Sequence, residues 1–160
     1  MKGLGLQAVG ADSSDLSAAT EIVCSGFTEG AEKQGYEVMA GCLKAHPDIN
    51  LVYTVNEPAA AGAYKALQEA GKEKNAMIVS VDGGCAGVNN VREGKIAATA
   101  QQYPLTMAAM GVDAAVAYAK HGKKVSGYVD TGVTLIADKT MPGLPSKDTQ
   151  AGLNACFGAK

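Results

Sequence analysis

The chain has 160 residues, with 14 basic and 16 acidic side chains and a formal charge of −2. Hydrophobic residues make up 47% and charged residues 19%, which excludes a disordered chain, and the length suits one domain or one lobe of something larger. No apolar run approaches the length of a membrane span, and a single arginine, Arg92, leaves no clustered cationic surface for nucleic acid or anionic lipid.

Twenty glycines and 28 alanines let helices pack close to a sheet and favour α/β layering. In chain order, Ala18, Ile22, Val23, Phe27 and Ala31 fall near helical spacing, which predicts a helix over 17–34 with Gly35 as its stop. Tyr36-Glu37-Val38-Met39 reads as a short strand, followed by a short helix over Cys42–Ala45 ended by Pro47. Leu51-Val52-Tyr53-Thr54-Val55 is a β-branched and apolar run, expected as a strand buried on both faces. A helix follows from Pro58, which suits a first helical turn, through Ala70 to a stop at Gly71.

The unit repeats. Residues 76–81 read as a strand with Asp82-Gly83-Gly84 at its tip, and a helix then runs to about Glu93. A strand over 96–100 closes at Gln101-Gln102-Tyr103-Pro104, and a long helix runs from Leu105 to His121, with Met107, Met110 and Val116 expected in the core. Residues 132–136 read as a last strand, and the Pro/Gly-rich stretch 140–160 as a surface tail behind a lobe spanning 1–139. Strand–helix alternation of this kind predicts a mostly parallel, Rossmann-like sheet flanked by helices.

In such a sheet, ligands bind beyond the carboxyl ends of the strands. Three predicted strand ends carry polar side chains there: Asn56 with Glu57, Asp82, and Gln102 beside Gln101. Amides offer donor and acceptor together and carboxylates offer acceptors, a set that matches the hydroxyls of a neutral sugar and includes no nucleophile. Asn and Asp are also preferred helix N-caps, so capping is the competing role for each residue taken singly.

Other motifs fall short. Gly3-Leu4-Gly5-Leu6-Gln7-Ala8 fits a relaxed dinucleotide-binding pattern without a preceding strand, and Gly94-Lys95-Ile96 does not complete a phosphate loop. His46 and His121 fall at predicted helix C-termini, where the helix dipole gives them a structural role. The four cysteines lack zinc-ligand spacing. Cys24 and Cys42 are expected as buried free thiols, whereas Cys85 and Cys156 adjoin Gly-rich turns and are candidates for a disulfide in an oxidising compartment. No cofactor, metal or enzymatic activity is expected, and no export signal is read at Met1.

The stretch Ala45-His46-Pro47-Asp48-Ile49-Asn50 leading into residues 52–57 and Ala61-Gly62-Ala63 resembles the sugar-binding proteins of ABC importers, the type I periplasmic binding proteins of the ribose, galactose and fructose kind. Residues 78–83, then Gln101-Gln102-Tyr103-Pro104, and finally residues 132–136 are similar to later motifs of that family in the same order. Asn-Glu-Pro-Ala-Ala-Ala-Gly with Gln-Gln-Tyr-Pro is most similar to the fructose-type branch. The resemblance implies two Rossmann-like lobes closing on a fructose- or ribose-like monosaccharide in the periplasm, with ABC permease subunits as partners.

This chain would be mainly the C-terminal lobe, with Asn56, Asp82, Gln102 and Glu57 as substrate-binding residues. It departs from the pattern in three ways. The N-terminal lobe is missing, Val23 stands where the family carries a ligand-gripping arginine, and the family's extra loop and half-helix are absent between Val38 and Met39. A lobe without its mate is expected to bind sugar weakly and to associate with itself. The effector core of a LacI-type regulator is the alternative, but it would require a DNA-binding headpiece; a flavodoxin-like or nucleotide-dependent enzyme would require a phosphate loop.

Overall fold

A computed structural model describes residues 2–4, 21–139 and 143–158. Eleven elements follow in order: β1 (Lys2–Leu4), β2 (Glu21–Cys24), α1 (Glu32–Ala45), β3 (Leu51–Tyr53), α2 (Glu57–Glu69), β4 (Met77–Asp82), α3 (Cys85–Arg92), β5 (Ala98–Gln101), α4 (Pro104–His121), β6 (Thr134–Ala137) and α5 (Thr149–Ala155). They build one six-stranded sheet of order β2-β1-β3-β4-β5-β6, parallel throughout except for β6, which runs antiparallel to β5. The sheet matches the expected mostly parallel α/β architecture.

The core lies where α1 and α2 meet the sheet. Met39, Ile49, Val52, Leu67 and Ile78 are buried there, as expected for Leu67; β3, expected to be buried on both faces, encloses only Val52 fully, and Val55 beyond its end is 61% exposed. Two glycines set the spacing of these helices. A Cβ on Gly35 would collide with the Ala59 carbonyl, and one on Gly62 with the Glu32 carbonyl, so the backbones cross nearly in contact. Tyr36 ties the same crossing at its rim by donating to Glu69 at 2.6 Å.

Several expectations fail at the N-terminal side. Residues 21–24 of the expected helix form β2, and residues 17–20 lie outside the described residues, as do residues 5–8 of the glycine motif. The helical spacing misleads because Phe27 is 85% exposed and anchors no core face, while Glu21-Ile22-Val23-Cys24 is a β-branched run suited to a strand. Gly35 sits inside α1 instead of ending it, and Tyr36–Met39 is helical. The close approach to α2 outweighs the cost of about 1 kcal/mol that a helical glycine carries. The junction between Val38 and Met39 lies within this uninterrupted helix.

The cysteines also differ. Cys24 and Cys42, expected as free thiols, form a disulfide that pins the end of β2 to α1. Cys85 and Cys156 form the second disulfide, as their neighbouring turns suggested.

The stretch read as a surface tail is also structured. Asp148 caps α5 by accepting from the Ala151 N–H at 2.8 Å, Lys147 bridges to Ile136, and Phe157 bridges to Gly84. Gly152 is buried against Ile136 and Val88.

The excursion from Pro104 to Val133 stands away from this body. None of the residues of α4 is buried. Met107 and Met110 are 40% exposed, Val116 43% and Leu105 75%, so the expected core role of this helix is corrected: none of these apolar side chains is enclosed. The base of the excursion is closed by a 2.6 Å hydrogen bond between the Tyr103 and Thr134 hydroxyls. His46 caps the C-terminus of α1 and His121 ends α4, as read from the sequence. Among the described residues no helix is long and apolar enough to cross a membrane.

Candidate functional site

Because β3, β4 and β5 are parallel neighbours, their carboxyl ends lie side by side, and each carries polar residues at its end or just beyond it. Asn56 takes the capping role that competed with ligand binding in the sequence. It is the N-cap of α2, its Oδ1 accepting from the Ala59 N–H at 3.1 Å and its Nδ2 donating to the Gly30 carbonyl at 2.8 Å. Asn56 therefore also anchors the loop that enters α1. It remains half-buried at the sheet edge.

Asp82 ends β4 with φ +138, a conformation that side-chain-bearing residues rarely adopt and that costs about 1–3 kcal/mol unless its surroundings enforce it. They do. Its Oδ1 accepts from Gln102 Nε2 at 3.0 Å, its Oδ2 from the Glu57 N–H at 3.4 Å, and its carbonyl from the Gln102 N–H at 2.9 Å. The structure thus brings Asp82 and Gln102 into direct contact, both half-buried, with the start of α2 beside them.

Glu57 differs from the other three. It is 6% exposed, and its carboxylate turns beneath the β4–α3 turn. Oε1 accepts from the Gly83 N–H at 2.9 Å and from the Thr99 hydroxyl at 2.6 Å, and Oε2 accepts from the Gly84 N–H at 3.0 Å. Burial raises its pKa above the ordinary glutamate value and the nearby Asp82 charge adds to the rise, while the bonds from Thr99, Gly83 and Gly84 pull the other way. The carboxylate is thus turned into the lobe, with both oxygens engaged by its own surroundings.

Gln101 was read only as the neighbour of Gln102, yet it is 1% exposed and stitches the site from below. Its Nε2 donates to the Gly83 carbonyl at 2.9 Å and to the Gly152 carbonyl at 3.0 Å. Strand alternation predicts this opposition: adjacent residues at a strand end point to opposite faces, so Gln101 and Gln102 cannot both face the site. A further buried pair, Thr54 donating to Ser80 at 2.8 Å, lies between the ends of β3 and β4.

A groove of about 1040 Å³ opens beside the cluster, lined by Phe27, Thr28, Tyr53, Thr54 and Asn56. Of the predicted site residues, it takes in Asn56. Among the described residues no group of His, Cys, Asp and Glu is placed to hold a metal ion.

A mostly parallel sheet with polar residues gathered at its carboxyl edge is the layout of an α/β lobe of the binding-protein type. Residues 7–124 match the periplasmic binding protein domain, and the chain belongs to that family. It is 40% identical over 103 residues to the ribose import binding protein RbsB of Salmonella typhimurium, a match covering 64% of this chain and 34% of that protein. A galactofuranose-binding protein superposes with a TM-score of 0.73 at 26% identity, over 84% of this chain and 44% of the other. The periplasmic binding component of the arabinose ABC transporter from Shewanella sp. ANA-3, bound to L-arabinofuranose, superposes at 0.65 with 34% identity, over 72% of this chain and 40% of the other. The chain spans about a third of the length of the curated relatives it matches. The relatives are binding proteins for sugars, in line with the resemblance read from the sequence.

Proposed function

We propose that this chain is the C-terminal lobe of a monosaccharide-binding protein that delivers its sugar to an ABC permease in the periplasm. The observation that carries the reading is the meeting of Asp82 and Gln102 at the carboxyl edge, next to the Asn56 cap of α2. A hydrogen-bonded carboxylate–amide pair of this kind presents acceptors and donors side by side, the combination that the hydroxyls of a neutral polyol require. Asp82 and Gln102 would grip sugar hydroxyls directly, Asn56 would contribute from its capping position, and Glu57 would act from beneath. Among the fructose- and ribose-like sugars that the resemblance implies, the 40% identity to a ribose import binding protein supports a ribose-like one.

A second lobe, outside this chain, would cover the other sugar face. The uncovered apolar residues of α4, on an excursion that leaves and rejoins the sheet at the site, fit a surface made for such a lobe. Closure of two lobes on the sugar would shift an open–closed equilibrium and make or break no bond. With one lobe, the lost hydrogen bonds each forfeit about 0.5–1.5 kcal/mol, and affinity for D-ribose is expected to be weaker than ~1 mM.

The test is a titration of the 15N-labelled chain with D-ribose. Small, saturable shifts centred on Asn56, Asp82 and Gln102 are expected. Shifts confined to the groove beside Phe27 and Tyr53, or no saturable response, would overturn the site. Micromolar binding would overturn the need for a second lobe.

A further inference from the structure

The β4–α3 turn follows a residue in an unfavourable conformation, Asp82, and starts a helix whose N-cap, Gly84, has no side chain to satisfy the first N–H groups. One carboxylate from another element holds the backbone on either side of Gly83 and takes the N-cap N–H of Gly84, while the Phe157 carbonyl takes the next one, that of Cys85. Glu57 stands at the first position of α2, and its side chain accepts the two N–H groups that follow Asp82 in the chain, those of Gly83 and Gly84. At the same time its own backbone N–H donates to the Asp82 carboxylate. The contact is reciprocal: the backbone of Glu57 holds the side chain of Asp82, and the side chain of Glu57 holds the backbone after Asp82.

The surrounding residues leave the carboxylate no other position. A Cβ on Gly87 would overlap the Glu57 carboxyl group, so α3 lies flush against it. Thr99 fixes Oε1 from β5, and Gln101 holds the Gly83 carbonyl from the far side. Negative charge at the start of α3 is further favoured by the helix dipole.

We propose that Glu57 is a positioning residue: its buried carboxylate fixes the β4–α3 turn and thereby aims the Asp82–Gln102 pair at the ligand. The ligand part of this statement rests on the sugar-binding reading above; the hold of Glu57 on Asp82 does not. The hold depends on the charged form. A neutral carboxyl group has given one oxygen to a proton and cannot accept from Gly83, Gly84 and Thr99 with equal strength. The ionisable group acting on Glu57 is Asp82, from β4; the other faces give Thr99 from β5 and, from α3, Gly87 and the disulfide-bonded Cys85, none of which titrates near neutrality.

The test is a pH series of amide spectra on the intact, oxidised chain, with and without D-ribose. In the sugar-free wild type, the Gly83 and Gly84 amides are expected to share one inflection above the ordinary glutamate range, with the Gln102 side-chain amide following it. In Glu57→Gln that shared inflection is expected to vanish from all three. The proposal is overturned if Gly83 and Gly84 show no inflection there, if the Gln102 side-chain amide signal does not follow it, or if Glu57→Gln keeps the inflection. The wild-type series decides the matter even if the variant folds poorly. A chain that keeps the coupled inflection but gives no response to D-ribose overturns the sugar reading and leaves the hold on Asp82 standing. A sugar response without the coupling overturns the role of Glu57.

Discussion

The two disulfides should differ in their contribution to stability, because they close chain segments of different length. Cys85 and Cys156 are 71 residues apart, and loop-closure entropy assigns that link about 4 kcal/mol. Cys24 and Cys42 are 18 residues apart, which gives about 3 kcal/mol. Structure sharpens the contrast. Cys85 is 1% exposed at the start of α3, its N–H donates to the Phe157 carbonyl at 2.9 Å, and the link is the covalent attachment of α5 beside the β4–α3 turn. The paired variants Cys24→Ala/Cys42→Ala and Cys85→Ala/Cys156→Ala, compared with the wild type by equilibrium urea unfolding, should lose roughly these amounts. The Cys85 pair should cost more and should release α5 first, seen as loss of amide protection over 149–155. Equal costs, or a larger cost for the Cys24 pair, would refute the reasoning. Both bonds also fit an oxidising compartment, as the proposed periplasmic setting requires.

Exposure separates α4 from the core. Leu67→Ala should cost about 2–5 kcal/mol because that side chain is fully enclosed. Leu105→Ser and Val112→Thr, at 75% and 62% exposure, should stay within about 0.5 kcal/mol by the same urea assay. Size-exclusion chromatography should show self-association of the wild type that these two substitutions weaken; a cost of several kcal/mol for either would mean that α4 packs on this lobe. Glu57 gives a pH dependence of defined sign. Its pKa is higher folded than unfolded, so the folded state binds the extra proton, and the associated stability is present below the ordinary glutamate range and lost as pH rises through the folded value. Wild-type stability relative to Glu57→Gln should therefore increase from neutral to mildly acidic pH; a difference that stays constant or shrinks would contradict the assignment.

Much of the fold was legible because its strands are short apolar runs bounded by strong punctuation. Pro58, Gly71, Gly94, Pro104 and Gly122 each mark an element boundary within a residue or two of the structure. Gly35 was not legible: a glycine that ends a helix and one that lets two helices touch look alike in one sequence, and only the position of Ala59 distinguishes them. The apolar pattern of α4 reads as a core face, but none of its residues is buried on this lobe, because an apolar pattern carries no information on whether a body is present to cover it. At the site, polar residue types at strand ends located the edge, and β pairing then placed Asp82 against Gln102. The difference between the enclosed carboxylate of Glu57 and the half-buried one of Asp82 was hidden, because both are carboxylates near a strand end. It takes the positions of Gly83, Gly84 and Thr99 to show which one is enclosed.

The most direct test of the account is a crystal structure of this chain grown with D-ribose at saturating concentration. The account predicts a sugar at the carboxyl edge of β3, β4 and β5, with hydroxyls within hydrogen-bond distance of the Asp82 carboxylate and the Gln102 amide and with Glu57 still enclosed beneath. A sugar bound elsewhere, with Asp82 and Gln102 untouched, would contradict it.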